Sequence, residues 1–352
     1  MSVNLNDSDS TGTTGAATGS PVDAAVETTQ STGRGALVVR RFMRNRLALI
    51  GLVVLVLLYA MAFLAPLFSP WDYKQQDYNA FLSPPSADHW FGTTQIGEDV
   101  FAQTMRGLQK SLTIGLLVAL ISTFIATIVG SAAGYFGKWS DRTLMWVVDL
   151  LLVLPSFLII AIISPSLRGE NWLWFVVLLA AFNWMITSRI VRGMTLTLRE
   201  REFVKAARFM GEKPWKIIRK HILPNMASLL IIDTTINVGS AVLAETGLSF
   251  FGFGVQPPDV SLGTLIRDGT RAALTFPWLF MFSGGLLIIA VLAVNFIGDG
   301  LRDALDPTSQ KGRVKEKKEK RKGKHSRGSG ETAAVTGPGS AEVPAPKRED
   351  DR

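Results

Sequence analysis

Residues 47–68 read LALIGLVVLVLLYAMAFLAPLF, a stretch of 22 residues without a single charged side chain. A helix rises about 1.5 Å per residue and the hydrocarbon core of a bilayer is about 30 Å thick, so about 20 apolar residues cross it. An uncharged run of this length is not expected in a water-soluble domain. The stretch therefore predicts a helix that spans a membrane.

Five further stretches meet the same requirement. Together they predict an all-α integral membrane protein with six transmembrane helices, at 47–68, 111–135, 144–163, 172–190, 226–247 and 276–297. With the N-terminus in the cytoplasm, the segments on that side hold 31 Lys and Arg residues and the segments on the other side hold 6. Cytoplasmic segments of membrane proteins carry an excess of these residues. We therefore expect both termini to be cytoplasmic.

The two ends of the chain differ in composition from its apolar middle. We predict four regions: a disordered cytoplasmic tail (1–34); an interfacial helix, the first transmembrane helix and an extracytoplasmic segment (35–110); a core with five transmembrane helices and a cytoplasmic loop at 197–224 (111–307); and a basic, then low-complexity, disordered tail (308–352). Residues 311–327 include ten Lys and Arg. We expect this run to be attracted to anionic membrane lipid and not to nucleic acid.

The chain lacks the residues that the chemistry of several enzyme classes requires. The chain has no cysteine, and its three histidines, His89, His221 and His325, are far apart in sequence. It contains no G-x4-G-K-[ST] loop to hold phosphates and no G-x-S-x-G nucleophile turn. We therefore predict a non-catalytic protein that has no catalytic residues, no metal site and no cofactor of its own.

Two features inside the spans are predicted to hold helices together. Gly130 and Gly134 enclose Ser-Ala-Ala and give the second span a face of small residues, which favours close helix packing. Asp233 lies about 10 Å inside the fifth span, short of the bilayer centre. A structural hydrogen bond to a neighbouring helix fits this depth better than a proton relay. A self-sufficient secondary transporter stays as a less favoured alternative.

The 191–225 loop carries the most local structure. Thr197 to Glu200 reads as a capping box that opens a helix, and Phe203, Ala206, Ala207 and Met210 then follow at helical spacing as one apolar face. Gly211 stands where a left-handed residue ends a helix, and Pro214 to Ile222 reads as a second short helix that ends before Pro224. The pattern alone leaves two alternatives: a docking site for a cytoplasmic partner, or a solvated loop.

The same loop resembles the E-A-A-x3-G-x9-I-x-L-P motif of ABC-importer permeases, in which it forms a coupling helix that sits in a groove on the ATP-binding subunit. The chain departs from the motif at Lys205, which replaces the Glu and leaves the acidic role to Glu202, and at His221, which stands in place of the Ile. The resemblance implies contact with the ATP-binding subunit at Glu202, Lys205, Ala206, Ala207, Gly211, Leu223 and Pro224.

Blocks along nearly all of 36–307 resemble dipeptide and oligopeptide permeases. Residues 91–101 and 107–112 are similar to the segment before the second span of those proteins, with Thr94 and Glu98 where the family usually has Asp and Arg. Residues 245–258 and 295–307 resemble the second, C-type, permease subunit. The resemblance implies an extracytoplasmic gate or binding-protein contact at Phe250, Phe251, Gln256, Pro257 and Pro258.

This resemblance implies the ABC type I importer permease fold in the cytoplasmic (inner) membrane. It also implies a heterodimer with a paralogous permease, two ATP-binding subunits that hold the ATP and Mg²⁺, and an extracytoplasmic solute-binding protein. We expect import of dipeptides or oligopeptides by alternating access. A permease for nickel or haem is the alternative within the same family.

Overall fold

The computed structural model describes residues 34–167 and 171–305. Over these residues the chain is helical, and no β-strand occurs there beyond two isolated bridges. The predicted tails, apart from Arg34, lie outside the described residues. The helices are α1 (Arg34–Phe42), α2 (Arg46–Phe68), α3 (Val100–Phe136), α4 (Lys138–Val153), α5 (Ser156–Ile163), α6 (Leu173–Arg199), α7 (Glu202–Phe209), α8 (Pro214–Ile217), α9 (Leu223–Phe250), α10 (Leu262–Thr270) and α11 (Trp278–Leu305), with a 3₁₀ turn at Ser164–Leu167 and a π-helical turn at Ile218–Ile222.

Within residues 34–167 and 171–305, five helices are long and apolar enough to cross a membrane, and α4 with α5 forms a sixth candidate as a bent pair. The predicted all-α architecture is confirmed across the described residues. The third predicted span, 144–163, corresponds to this bent pair, whose two halves meet at an angle of 75°. Pro155 causes the break: the residue before a proline is excluded from the helical region, and Leu154 is extended with ψ 128°.

The second span begins earlier than its apolar stretch predicts, at Val100 instead of 111. Asp99 fixes this start, since its Oδ1 accepts a hydrogen bond from the Ala102 N–H at 2.7 Å. A side chain of this kind satisfies one of the free amides at a helix start. The extra three turns carry the helix past the apolar region into the segment formed by residues 69–99.

Two predictions for the loop after α6 are wrong. Thr197 does not open a helix: it lies inside α6, and its hydroxyl donates to the Gly193 carbonyl at 3.2 Å. The helix continues because Thr195 and Leu198 are buried against the bundle. The second helix does not end before Pro224 either. The π-helical turn uses i→i+5 bonds, as from the Leu223 N–H to Ile218, and α9 runs on through the proline, which lies in its first turn.

The long helix α3 forms the centre of the bundle and packs along α6, α9 and α2. The predicted small-residue face meets α6. A Cβ built on Gly134 would lie 2.7 Å from the Thr195 Cβ and 2.8 Å from the Arg192 carbonyl oxygen. Only glycine allows the two backbones to approach this closely.

We expect Gly134→Leu to destabilise the chain by about 3 kcal/mol or more, because the leucine has no room unless α3 and α6 separate. The thermal unfolding midpoint in detergent, followed by circular dichroism, measures this. Gly193→Leu is the matched control, since no neighbouring atom lies within 4 Å of a Cβ built there. Equal midpoints for the two variants would contradict the close packing of α3 on α6.

A buried polar cluster joins α3, α9 and α10. Glu245 is fully buried, and its two carboxylate oxygens accept hydrogen bonds from the Ser111 hydroxyl at 2.8 Å and the Ser249 hydroxyl at 2.6 Å. The same hydroxyls accept from the backbone amides of Leu262 at 3.2 Å and Val255 at 3.1 Å. One carboxylate thus holds the start of α10 and the turn after α9 against the bundle.

The segment before α3 is built around a buried histidine. The His89 Nδ1 lies 2.9 Å from Asp99 Oδ2, its Nε2 lies 3.5 Å from Asp77 Oδ2, and its ring stacks on Trp71 with centroids 4.7 Å apart. The neighbouring Asn79 amide, followed by the His89 contact, lowers the pKa of the Asp77 carboxyl. The Asp99 that caps α3 is therefore also the residue that ties this segment to the bundle.

Candidate coupling surface

The short helix α7 lies at one end of the bundle, which we call the basic end because it holds the arginine- and lysine-rich 192–220 region. Val204 and Ala207 point inward and are fully buried. They pack into a cluster with side chains from α3, α6, α8, the π-helical turn and α9, namely Tyr135, Val191, Leu198, Ile217, Ile218, Ile222 and Met226. The helix is therefore fixed to the ends of the membrane-spanning helices.

Gly211 ends α7 in the way that the sequence predicts. It has φ +76°, and its N–H donates to the Arg208 carbonyl at 3.0 Å, while the Glu212 N–H donates to the Ala207 carbonyl at 3.1 Å. This pair of bonds is the Schellman motif, which needs a residue with positive φ. The left-handed conformation predicted for Gly211 is confirmed.

The outward face of α7 carries exposed apolar side chains near both of its ends. Phe209 is 90% exposed, Met210 75% and Phe203 43%. The predicted apolar face of 203, 206, 207 and 210 is wrong as a single face, because Ala207 points into the bundle while the other three are exposed. The predicted Ala206–Ala207 pair is therefore split, and only Ala206 is available to another protein.

Lys205 of α7 and Arg199 at the end of α6 both pair with Glu200, in the turn between the two helices. Lys205 Nζ lies 3.3 Å from Glu200 Oε2, and Arg199 Nε lies 3.3 Å from Glu200 Oε1. The hydrogen bond from Lys205, followed by the lysine's charge, lowers the pKa of the Glu200 carboxyl. The acidic partner of Lys205 is thus Glu200, while Glu202 opens α7 as an exposed residue in its first turn.

Glu212 follows Gly211 and connects the end of α7 to the segment that leads into α9. Its carboxylate lies 3.2 Å from Lys216 Nζ and 2.9 Å from His221 Nε2. The hydrogen bond from Lys216 is the main cause that lowers the pKa of the Glu212 carboxyl. The sequence motif gave no reason to single out Glu212, since its partners come from the next turn and from the π-helical segment.

The contacts of Glu212 predict a pH dependence of the loop. A carboxyl with a lowered pKa stabilises the folded loop fully when the pH is above the usual glutamate pKa, near 4.5. This contribution is lost as the pH falls through the lowered pKa. We expect amide exchange at residues 209–212, corrected for its intrinsic rate, to be faster in Glu212→Gln than in the wild type at pH 7. The difference should disappear once the pH falls below the lowered pKa of the Glu212 carboxyl. A difference that persists at acidic pH would contradict this role.

Leu223 and Pro224 lie apart from the outward face of α7. Leu223 is half-buried and packs on the same cluster as Val204 and Ala207, while Pro224 is exposed in the first turn of α9. Both shape the connection between the loop and the span. Of the seven residues that the motif indicates, the structure therefore brings Glu202, Lys205, Ala206 and Gly211 to the surface of the loop and uses Ala207 and Leu223 inside it.

The five residues predicted for the opposite end lie together at the last residue of α9 and in the turn that follows it. Phe251 is 62% exposed and its ring packs edge-on against Phe157 of α5, at 5.6 Å between centroids, and against Phe250. Gln256 folds back, donating from Nε2 to the Gly252 and Gly254 carbonyls at 3.0 and 3.1 Å. The exposed Pro257 and Pro258, joined by a cis peptide bond, line a cavity of about 500 Å³ between this turn, α10 and the 73–103 segment.

Asp233 has the structural contacts that its depth predicts. Its Oδ2 accepts hydrogen bonds from the Thr187 hydroxyl of α6 at 2.7 Å and from the Asn237 amide of α9 at 2.9 Å. The predicted bond to a neighbouring helix is confirmed. Ion pairs join α4 to α6 nearer the basic end: Asp141 with Arg192, at 2.6 Å between Oδ2 and Nη2, and Asp149 with Arg189.

Comparisons with known proteins agree with this architecture. Residues 126–311 match the family described as "Binding-protein-dependent transport system inner membrane component", and residues 33–85 match "N-terminal TM domain of oligopeptide transport permease C". The chain is 57% identical over 283 residues to the oligopeptide transport system permease protein OppC of Mycobacterium tuberculosis, covering 80% of this chain and 97% of the relative.

Two further relatives are more distant. A putative peptide permease protein of Brucella suis is 41% identical over 282 residues, covering 80% of this chain and 93% of the relative. The permease protein OppC of Bacillus subtilis is 37% identical over 271 residues, covering 77% and 88%. A solved inward-facing structure of the MetNI methionine ABC transporter has a TM-score of 0.47 and 21% identity, covering 58% of this chain and 97% of that chain.

The chain belongs to the family of binding-protein-dependent transport system inner membrane components, the permeases of ABC importers. Within that family, its N-terminal segment and its relatives place it with the C-type permeases.

Proposed function

We propose that this chain is the C-type permease subunit of an ATP-driven importer of oligopeptides or dipeptides and forms half of the pathway across the cytoplasmic membrane. The observation that carries the proposal is the 57% identity over nearly the full length of an oligopeptide permease protein. The match at residues 33–85 to the N-terminal domain of oligopeptide permease C supports it independently. The other half of the pathway would come from a paralogous permease.

The basic end would face the cytoplasm, with both termini on that side, because Lys and Arg are enriched there. The outward face of α7 would dock on an ATP-binding subunit. Three features support this: the helix is fixed to the bundle by Val204 and Ala207, it ends sharply at Gly211, and it presents Phe209 and Met210 to the solvent. Aromatic and methionine side chains are enriched at protein interfaces.

Transport would proceed by alternating access. ATP and Mg²⁺ would bind to two partner subunits, whose closure would move α7, and the attached spans would change between inward- and outward-facing arrangements. The exposed residues after α9, including Phe251, Pro257 and Pro258, would contact a docked solute-binding protein at the extracytoplasmic end. This chain would supply no catalytic group and no cofactor.

Purification from native membranes in mild detergent tests the proposal. We expect this chain to elute with a related permease and with ATP-binding subunits, and we expect the ATPase activity to rise when a peptide-loaded solute-binding protein is added. If a metal- or haem-loaded binding protein stimulates the ATPase activity and a peptide-loaded one does not, the proposal that the substrate is a peptide is wrong. A chain that elutes alone and drives uptake under an ion gradient would overturn the function.

A further inference from the structure

A cavity of about 400 Å³ opens at the basic end between α3 and the segment that leads into α9. One wall comes from α3, with Thr127, Ile128 and Ser131, and the other from residues 215–223. The volume lies within the range of ligand-binding clefts, about 300–1,000 Å³. Leu223 of the predicted coupling residues lines this cavity, whereas the outward face of α7 and the residues after α9 do not.

The 215–223 wall has two unlike faces. Ile217, Ile218 and Ile222 point into the bundle and are almost completely buried. Trp215, Lys216 and Arg219 point the other way and line the cavity as exposed residues. The α3 side of the cavity therefore presents Ile128 and two hydroxyl-bearing side chains, and the other side presents an aromatic ring and two cationic side chains together with the apolar Ile218 and Leu223.

The two cations are not neutralised to the same extent. Lys216 pairs with Glu212 at 3.2 Å, but the same carboxylate also contacts His221. Arg219 has no carboxylate partner within 4 Å among residues 34–167 and 171–305. The cavity thus carries an excess of positive charge that the described part of the chain does not balance.

The depth of the cavity places this charge at a membrane boundary. Residues 111–136 of α3 carry no charged side chain, and at about 1.5 Å per residue they extend about 39 Å, or about 4 Å beyond each side of a hydrocarbon core of about 30 Å. Ser131 and Thr127 lie about 7 to 14 Å before the end of the helix. The cavity therefore begins just inside the boundary, where an unbalanced arginine needs an anion or water.

An apolar stripe leads from the cavity along α3 toward the opposite end. It consists of side chains at four-residue spacing, all of them exposed in this chain: Leu116 (39%), Leu120 (50%), Phe124 (68%) and Ile128 (44%). Residues four apart lie on one face of a helix. The cavity and the stripe together form one surface that is basic at its end and apolar along its length.

We propose that this surface binds an anionic phospholipid, with its phosphate against Arg219 and Lys216 and its acyl chains along the α3 stripe. The arrangement matches the chemistry of such a lipid in order: a negative headgroup at the boundary, a tryptophan at headgroup level and a hydrocarbon tail below it. Because Lys216 shares Glu212 with the end of α7, a bound headgroup would also reinforce the loop beside the coupling surface. This inference does not depend on the transported substrate.

The test uses the full chain, purified with the subunits it retains and titrated with phosphatidylglycerol in a background of phosphatidylcholine. Bound lipid is counted by native mass spectrometry. We expect the double variant Lys216→Gln/Arg219→Gln to bind phosphatidylglycerol about tenfold more weakly than the wild type. The matched control is Lys213→Gln/Lys220→Gln, which removes two exposed lysines of the same segment outside the cavity and should stay within about twofold of the wild type.

A charge-conserving variant separates binding from folding. Lys216→Arg/Arg219→Lys should retain the lipid, so loss in the Gln variant with retention here supports the proposal. Equal binding of phosphatidylglycerol and phosphatidylcholine by the wild type would overturn it. So would competition by millimolar inorganic phosphate, which would make this a site for a free anion. Loss of a co-purifying permease with unchanged lipid binding would assign the surface to a protein partner and also overturn it.

Discussion

The double substitution of Phe209 and Met210 by aspartate is expected to abolish peptide uptake while the permease stays folded in the membrane. Both side chains are at least three-quarters exposed in this chain, so two carboxylates there do not disturb its core. They would instead place two charges in an interface that must lose water on docking, and charged groups are disfavoured in the buried part of such an interface. We expect uptake to fall at least about tenfold, since a single poorly solvated charge already costs more than about 1.4 kcal/mol.

The measurement is uptake of a labelled peptide in cells, together with the amount of ATP-binding subunit that co-purifies with the permease. Phe209→Leu/Met210→Leu is the matched control, because it keeps the surface apolar and should keep most of the uptake. Ala207→Glu provides the contrast: its carboxylate would enter the buried cluster under α7, so it should lower thermal stability as well as uptake. Uptake near the wild-type rate in the double aspartate variant would show that α7 is not the docking element.

The second large effect is expected for Glu245→Ala. The substitution leaves the Ser111 and Ser249 hydroxyls without their acceptor in a fully buried site and also creates a cavity. A buried polar group that loses its partner costs about 1–3 kcal/mol, so we expect a total loss of about 3 kcal/mol or more. The thermal unfolding midpoint of the purified permease in detergent measures it.

Glu245→Gln is the matched control, since the amide oxygen still accepts from one of the two serines and the side chain fills the same volume. Its loss of stability should be clearly smaller than that of the alanine variant. The residues after α9 should also become more accessible to protease in Glu245→Ala, because the Val255 amide reaches the carboxylate through Ser249. An unchanged midpoint in the alanine variant would show that the carboxylate does not hold α10 and this turn in place.

The sequence predicts the spans well because the membrane applies one rule to all of them. Each must be apolar over about 20 residues, and this requirement does not depend on which helix lies beside which. The ends of the helices are predicted less well than the apolar stretches themselves. Asp99 extends α3 by three turns beyond its apolar part, while Pro155 breaks a stretch that is apolar apart from Asp149 and Ser156. Asp99 and Pro155 are both visible in the sequence, but their effect depends on the segments that pack around them.

In the 191–225 loop, tertiary contacts decide which side chains are buried. The motif predicts a helix with Gly211 at its end, and this is found, but helical spacing alone cannot say whether Val204 or Phe203 faces the bundle. The choice follows from the cluster of Ile217, Ile218 and Ile222, which comes from a later turn. Glu245 and Glu212 were missed for a similar reason, because their partners lie on other elements. A carboxyl at an apparent span end gives no sequence signal of a buried network.

The glycine contact between α3 and α6 has a mechanical consequence. Gly134 lets the two backbones touch, and α7 is seated on the cluster at the ends of α6 and α9. A displacement of α7 would therefore be transmitted directly to α3 and α6. The two helices would rotate together as a rigid unit about 40 Å long. A shift of a few ångströms at the loop would then displace the opposite ends of these helices at the far side of the membrane. The bend at Pro155 lies outside this unit, and α4, which precedes the bend, is tied to α6 by the ion pairs of Asp141 and Asp149.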